Sequence, residues 1–125
     1  MHYPRSTINR AVRAVACSPF TIHLLTTMRS QSVSLQDMCD LSGVTAGYTQ
    51  TALSERQAED TLLWLIQVGL LRREVDGQGL TDSFRLTPLG RQLIDQWQHQ
   101  GKDIPKPSLS DRFQNLCQRW VRIPV

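Results

Sequence analysis

The stretch Leu62-Leu63-Trp64-Leu65-Ile66-Gln67-Val68-Gly69-Leu70-Leu71, followed downstream by Leu86-Thr87-Pro88-Leu89-Gly90, decides how this chain folds. Ala58, Leu62, Leu65 and Ile66 recur at helical spacing and predict one core-facing stripe. Ser54 with Gln57 forms a capping box and sets the start of that helix. Gly69 ends it, because glycine reaches backbone angles that strain other residues. Residues 70–75 then read as a strand, Asp76-Gly77-Gln78-Gly79 supplies the turn, and residues 83–86 return. At Thr87-Pro88 a capping threonine precedes a first-turn proline, where the missing N–H costs no hydrogen bond.

Upstream, Thr7 caps a predicted helix over residues 8–17, with Ile8, Ala11, Val12, Val15 and Ala16 inward and Arg10 and Arg13 outward. Ser18-Pro19 opens a second helix, to about Arg29, that buries Phe20, Leu24 and Met28. Ser34 and Asp37 start a short third helix whose apolar face is Leu35, Met38, Cys39 and Leu41, with Gly43 as terminator. Residues 44–52 read as a loop. Downstream, Leu89, Leu93, Ile94 and Trp97 stripe another helix. Residues 98–107, with Gly101, Pro105 and Pro107, read as a linker that does not pack. Ser108 or Ser110 then caps a terminal helix, in which Phe113, Leu116, Cys117, Trp120 and Val121 form an amphipathic stripe.

This order of signals resembles the winged helix-turn-helix superfamily, in particular MarR-like and PadR-like bacterial transcriptional regulators. The resemblance covers residues 34–97, where the Gly69-Leu70-Leu71 and Leu86-Thr87-Pro88-Leu89-Gly90 steps bracket a glycine hairpin. It implies a mainly α fold with a small β-hairpin wing, to which the periodicity adds helical extensions at both ends. On this reading residues 1–97 are the winged-helix domain, 98–107 the linker, and 108–125 a C-terminal amphipathic helix. One feature departs from the pattern. A helix-turn-helix joins its helices by three or four residues, whereas the interval from Leu41 to Ser54 is longer. Either the loop is enlarged or an extra helical turn lies inside it.

Composition bounds the function. The chain has 125 residues and 40% hydrophobic residues, which suits one domain. No apolar run approaches a membrane span and the N-terminus lacks a secretory signal, so the expected location is cytoplasmic. Cys17, Cys39 and Cys117 are too scattered for a disulfide framework or a zinc site. No catalytic motif and no Gly-rich phosphate loop occurs, so neither an enzyme nor a cofactor or metal is expected. Net charge is +3 and the pI near 9.1. The ends are basic. The middle is acidic, with Asp37, Asp40, Glu55, Glu59 and Asp60 against Arg56.

The resemblance implies a transcriptional regulator that places the helix from Ser54 in the major groove of double-stranded DNA. Ser54, Arg56 and Gln57 then lie nearest the bases, with Glu55, Glu59, Asp60 and Leu63 also on the outer side. Arg72, Arg73 and Arg85 on the wing reach phosphates or the minor groove. The blander alternatives are an Arg56–Asp60 ion pair and cross-strand pairs to Glu74, Asp76 or Asp82. Phe113, Leu116 and Trp120 are expected to make a homodimer, pairing with the first helix of a second subunit. The competing function is a winged-helix protein-interaction module without DNA binding. It predicts an acidic recognition surface and an exposed patch around Leu63 and Trp64.

Overall fold

The computed structural model describes residues 3–121, except the side chain of Val121. The Met1-His2 end, the Val121 side chain and Arg122 therefore lie outside the described residues. The described chain is mainly helical with a small three-stranded antiparallel sheet. Helices α1 (Arg5–Ala16) and α2 (Ile22–Ser30) lead into strand β1 (Val33–Ser34), a 3₁₀ turn (Gln36–Met38) and helix α3 (Asp40–Thr45). Helix α4 (Glu55–Gln67) precedes the hairpin of β2 (Leu71–Asp76) and β3 (Gly79–Leu86). Helices α5 (Pro88–His99) and α6 (Leu109–Val121) complete the order.

The central helix follows its sequence signals closely. The Ser54 hydroxyl accepts the Gln57 N–H at 3.1 Å while the Gln57 carbonyl accepts the Ser54 N–H at 3.0 Å, so both halves of the capping box form. Ala58, Leu62 and Leu65 are fully buried, and Ile66 is half-buried. Gly69 takes φ +87°, the left-handed geometry that lets the chain turn directly into β2. Thr87 caps α5 by accepting the Gly90 N–H at 3.1 Å, with Pro88 in the first turn. The core joins Leu24, Leu25 and Met28 of α2 to Leu62 and Leu65 of α4, Leu71, Phe84 and Leu86 of the sheet, and Leu93 and Ile94 of α5.

Several helix boundaries differ from expectation. Helix α1 begins after Pro4 rather than at a Thr7 cap, and Arg10 and Arg13 are half-buried rather than outward. Helix α2 starts three residues later than Ser18-Pro19 suggested, because Thr21 supplies the cap and accepts the Leu24 N–H. The Ser18 hydroxyl instead donates to Val15 O, closing α1.

The expected single helix from Ser34 is a strand, a 3₁₀ turn and then α3. The Ser34 hydroxyl does accept the Asp37 N–H, but β1 pairs with β3 through Val33 and Phe84. Leu41 is 76% exposed, not core. Gly43 lies inside α3 instead of ending it. A Cβ there would come within 2.5 Å of the Met38 carbonyl oxygen, so its smallness serves close backbone packing. Both alternatives for the Leu41–Ser54 interval are met in part, because α3 runs through it to Thr45 and residues 46–54 form an enlarged loop before α4. That loop is tied to α2 by Thr21 N–H to Tyr48 O and by Gln50 N–H to Pro19 O. The linker also packs in part, since Ile104 lies against the core.

Candidate interaction surface

Helix α4 presents Glu55, Arg56, Asp60 and Leu63 to solvent, with Glu59 half-buried. In the capping box the Ser54 hydroxyl and the Gln57 side-chain carbonyl both act as acceptors, which leaves the Ser54 O–H and the Gln57 amide NH₂ as donors. The Arg56–Asp60 ion pair does not form, and among the described residues no acid lies within 4.0 Å of the Arg56 guanidinium. The carboxylates of Asp37, Asp40, Glu55, Glu59 and Asp60 belong to the same acidic span of chain, which holds Arg56 as its sole cation.

The hairpin brings its arginines together with acids. Arg72 and Arg85 are register partners on adjacent strands, which puts two like charges opposite each other. Glu74 separates their repulsion by bonding both: Oε2 lies 3.1 Å from Arg72 Nη1, and Oε1 lies 3.5 Å from Arg85 Nη1. On the other face, Arg73 reaches Asp82 at 3.1 Å and covers the Phe84 ring at 5.0 Å from its centroid. Cross-strand pairing, the blander alternative, therefore occurs for Arg73 and Arg85, while Arg72 pairs along its own strand. Pairs this exposed contribute about 0–1 kcal/mol each. Their electrostatic consequence is larger, because three arginines on the two strands are matched by Glu74, Asp76 and Asp82. Next to its polar turn the hairpin exposes two apolar side chains, Val75 at 63% and Leu80 at 74%.

Helix α6 lies against α1 and flanks α4. Its start is a second capping box, Ser108 with Asp111. The Trp64 indole N–H donates to Asn115 Oδ1 at 2.9 Å, and Arg13 donates to Gln118 Oε1 at 3.2 Å. Trp64 is therefore buried under α6, which corrects the expected exposed patch: Leu63 remains in it, and Trp64 does not. Arg119 is half-buried nearby. Burial lowers its guanidinium from its ordinary value, opposed by the Asp60 carboxylate. A groove of about 290 Å³ between the two helices is lined by Arg56, Asp60, Leu63, Trp64 and Gln67 of α4 and by Arg119 and Trp120 of α6.

The expected dimerisation residues all face outward: Phe113 is 68%, Leu116 53% and Trp120 63% exposed. Sequence reasoning missed Leu109, exposed on the same face, as well as the apolar pair beside the hairpin turn and the bridging role of Glu74. Leu109 falls four residues before Phe113, so the spacing carried that signal. The role of Glu74 depends on strand register, which the sequence does not print.

The cysteines do not converge on a function. All three are free thiols; burial raises Cys17 and Cys39 above their ordinary values, which keeps both protonated. Among the described residues no group of three metal-ligating side chains forms, and no helix is long and apolar enough to cross a membrane.

A family model described as Npun_F0494-like matches residues 1–119 of the chain. No curated protein and no solved structure matches.

Proposed function

The chain belongs to the Npun_F0494-like family, and we propose for it a winged-helix fold that serves as a protein-interaction module. The order α2, β1, α3, α4, β2, β3, with the sheet arranged β1-β3-β2, supports the winged-helix assignment. The α3–α4 pair is its helix-turn-helix with a lengthened turn, and the β2–β3 hairpin is its wing. Function is a separate question, because a fold hosts many sites.

One observation carries the functional reading. The face on which a winged helix would meet DNA offers acids and apolar side chains where phosphates require cations. Affinity for duplex DNA comes largely from lysine and arginine neutralising phosphates. Here the first two turns of α4 hold Glu55, Glu59 and Asp60 against Arg56, and the wing arginines face acids of their own hairpin. Leu63 is exposed and lines the α4–α6 groove with Trp120, and Val75 and Leu80 are exposed on the hairpin beside its turn. Asp60 lines that groove together with Arg56 and Arg119, while Glu55 and Glu59 stand on the first turns of the same helix. This mix of carboxylates and apolar side chains suits a partner with basic and apolar side chains.

A labelled amphipathic peptide of lysine and leucine is the direct probe. Its fluorescence anisotropy should rise with the wild-type protein. The Glu55→Gln/Glu59→Gln/Asp60→Asn variant and Leu63→Ser should each weaken binding about tenfold. Equal binding by all three proteins contradicts the reading.

DNA binding is the second reading, and Arg56 favours it. Its exposed guanidinium, free of any acid within 4.0 Å among the described residues, stands in the first turn of the helix that would enter the groove.

A further inference from the structure

We propose that α6 is an inhibitory strap, which covers part of the α4 face and is displaced when the partner binds. Such regulation rests on α4 being the face for a basic and apolar partner, as proposed above. Helix α6 lies on the body inside out. The side turned to α1 and α4 carries Asp111, Asn115, Gln118 and Arg119. Leu109, Phe113, Leu116 and Trp120 point to water instead.

What holds the strap down is weak. Among the described residues two side-chain hydrogen bonds join it to the helices beneath, from Trp64 to Asn115 and from Arg13 to Gln118. Water competes for such bonds, so each adds little net. The four apolar side chains gain nothing from the contact, because they stay exposed. Arg119 is half-buried with no acid within 4.0 Å among the described residues. Burial lowers its guanidinium from its ordinary value, so docking works against its charge.

What the strap covers is the missing part of the α4 surface. Asp60, Leu63, Trp64 and Gln67 follow one another at helical spacing along one side of the groove. Leu63 is exposed, while Trp64 is buried beneath α6. Lifting α6 joins Asp60, Leu63 and Trp64 into one strip, with Trp64 in place of Trp120. Helix α6 shares the chemistry of the proposed partner, since Arg112 and Arg119 stand beside leucines and aromatics. It keeps its apolar side away from α4, however. A partner helix that turns its apolar side onto Leu63 and Trp64 gains the burial that α6 forgoes. The connection permits the exchange. Residues 102–108 form neither helix nor strand, and Ile104 anchors that stretch against the core, so α6 swings from a fixed point.

The labelled lysine–leucine peptide tests this on the full chain. Freeing α6 with Asn115→Ala/Gln118→Ala should tighten peptide binding about tenfold over the wild type in fluorescence anisotropy. Adding Leu63→Ser should cancel that gain, which ties it to α4. A second measurement needs no variant: saturating the wild type with peptide should quicken hydrogen exchange of the α6 amides and not of the α4 amides. Unchanged affinity in the double variant overturns the strap and leaves the reading of α4 in place. So do α6 amides that keep their protection in the bound wild type. A gain that survives Leu63→Ser also overturns the strap, because the peptide then binds elsewhere. Absence of binding by every one of these proteins overturns both.

Discussion

Helices α4 and α6 have the same length, thirteen residues, and each opens with a serine capping box, yet they treat their apolar faces in opposite ways. Helix α4 buries Ala58, Leu62 and Leu65 completely. Helix α6 binds the body through Asn115 and Gln118, and turns Leu109, Phe113, Leu116 and Trp120 to water. An amphipathic pattern therefore states that a face needs cover, not which molecule covers it. Helix α4 turns directly into β2 at Gly69 and its face is fixed by the core, whereas α6 follows a proline-bearing stretch and its rotation is held by polar contacts.

Paired substitutions sharpen this contrast. The largest expected difference is between Leu62→Ala and Leu116→Ala. The first empties a fully buried site and should cost about 2–5 kcal/mol. In dilute solution the second should change urea-unfolding stability by less than about 0.5 kcal/mol. Equal losses would mean that α6 is packed as tightly as α4. Next in size, Ser54→Ala should cost about 1 kcal/mol by removing the cap of a core helix. The same change at Ser108 should affect hydrogen-exchange protection of α6 and leave global unfolding nearly unchanged.

A smaller effect is expected for Asn115→Ala, which leaves the Trp64 indole N–H without its acceptor. It should cost about 0.5–1.5 kcal/mol and shift tryptophan emission to the red as α6 loosens. The smallest concerns Arg29 and Asp95, which join α2 to α5 at the surface. The hydrogen bond from Arg29 lowers the Asp95 carboxyl below its ordinary value. A carboxyl lowered in the folded state stabilises above its unfolded value, and that contribution is lost as pH falls through the folded one. Asp95→Asn should therefore lower the melting temperature slightly at pH 7, with the difference from wild type shrinking as pH falls below the ordinary carboxylate range.

Much of the scaffold was legible because its signals are local. The Ser54–Gln57 box, Gly69, the Asp76–Gly79 turn and Thr87-Pro88 each act within a few residues, and all hold in the structure. The region from Val33 to Leu53 was not. Strand β1 is two residues long and exists through its pairing with β3, a contact across fifty residues of chain. Gly43 looked like a helix terminator but answers a steric demand from Met38. The same limit applied to the surface. The arginines of the hairpin were visible in the sequence, while the bridge from Glu74 to both Arg72 and Arg85 required strand register. The stripe of α6 was visible too, but its outward rotation follows from Asn115 meeting Trp64.

The most direct test of the functional account is anisotropy of a labelled random duplex DNA titrated with the protein at low and moderate salt. The wild type and the Glu55→Gln/Glu59→Gln/Asp60→Asn variant are compared. The account predicts no binding by the folded wild type even at low salt, and salt-sensitive binding gained once the acids are neutral. Wild-type binding that weakens with salt and with Arg56→Ala would contradict it and assign α4 to DNA.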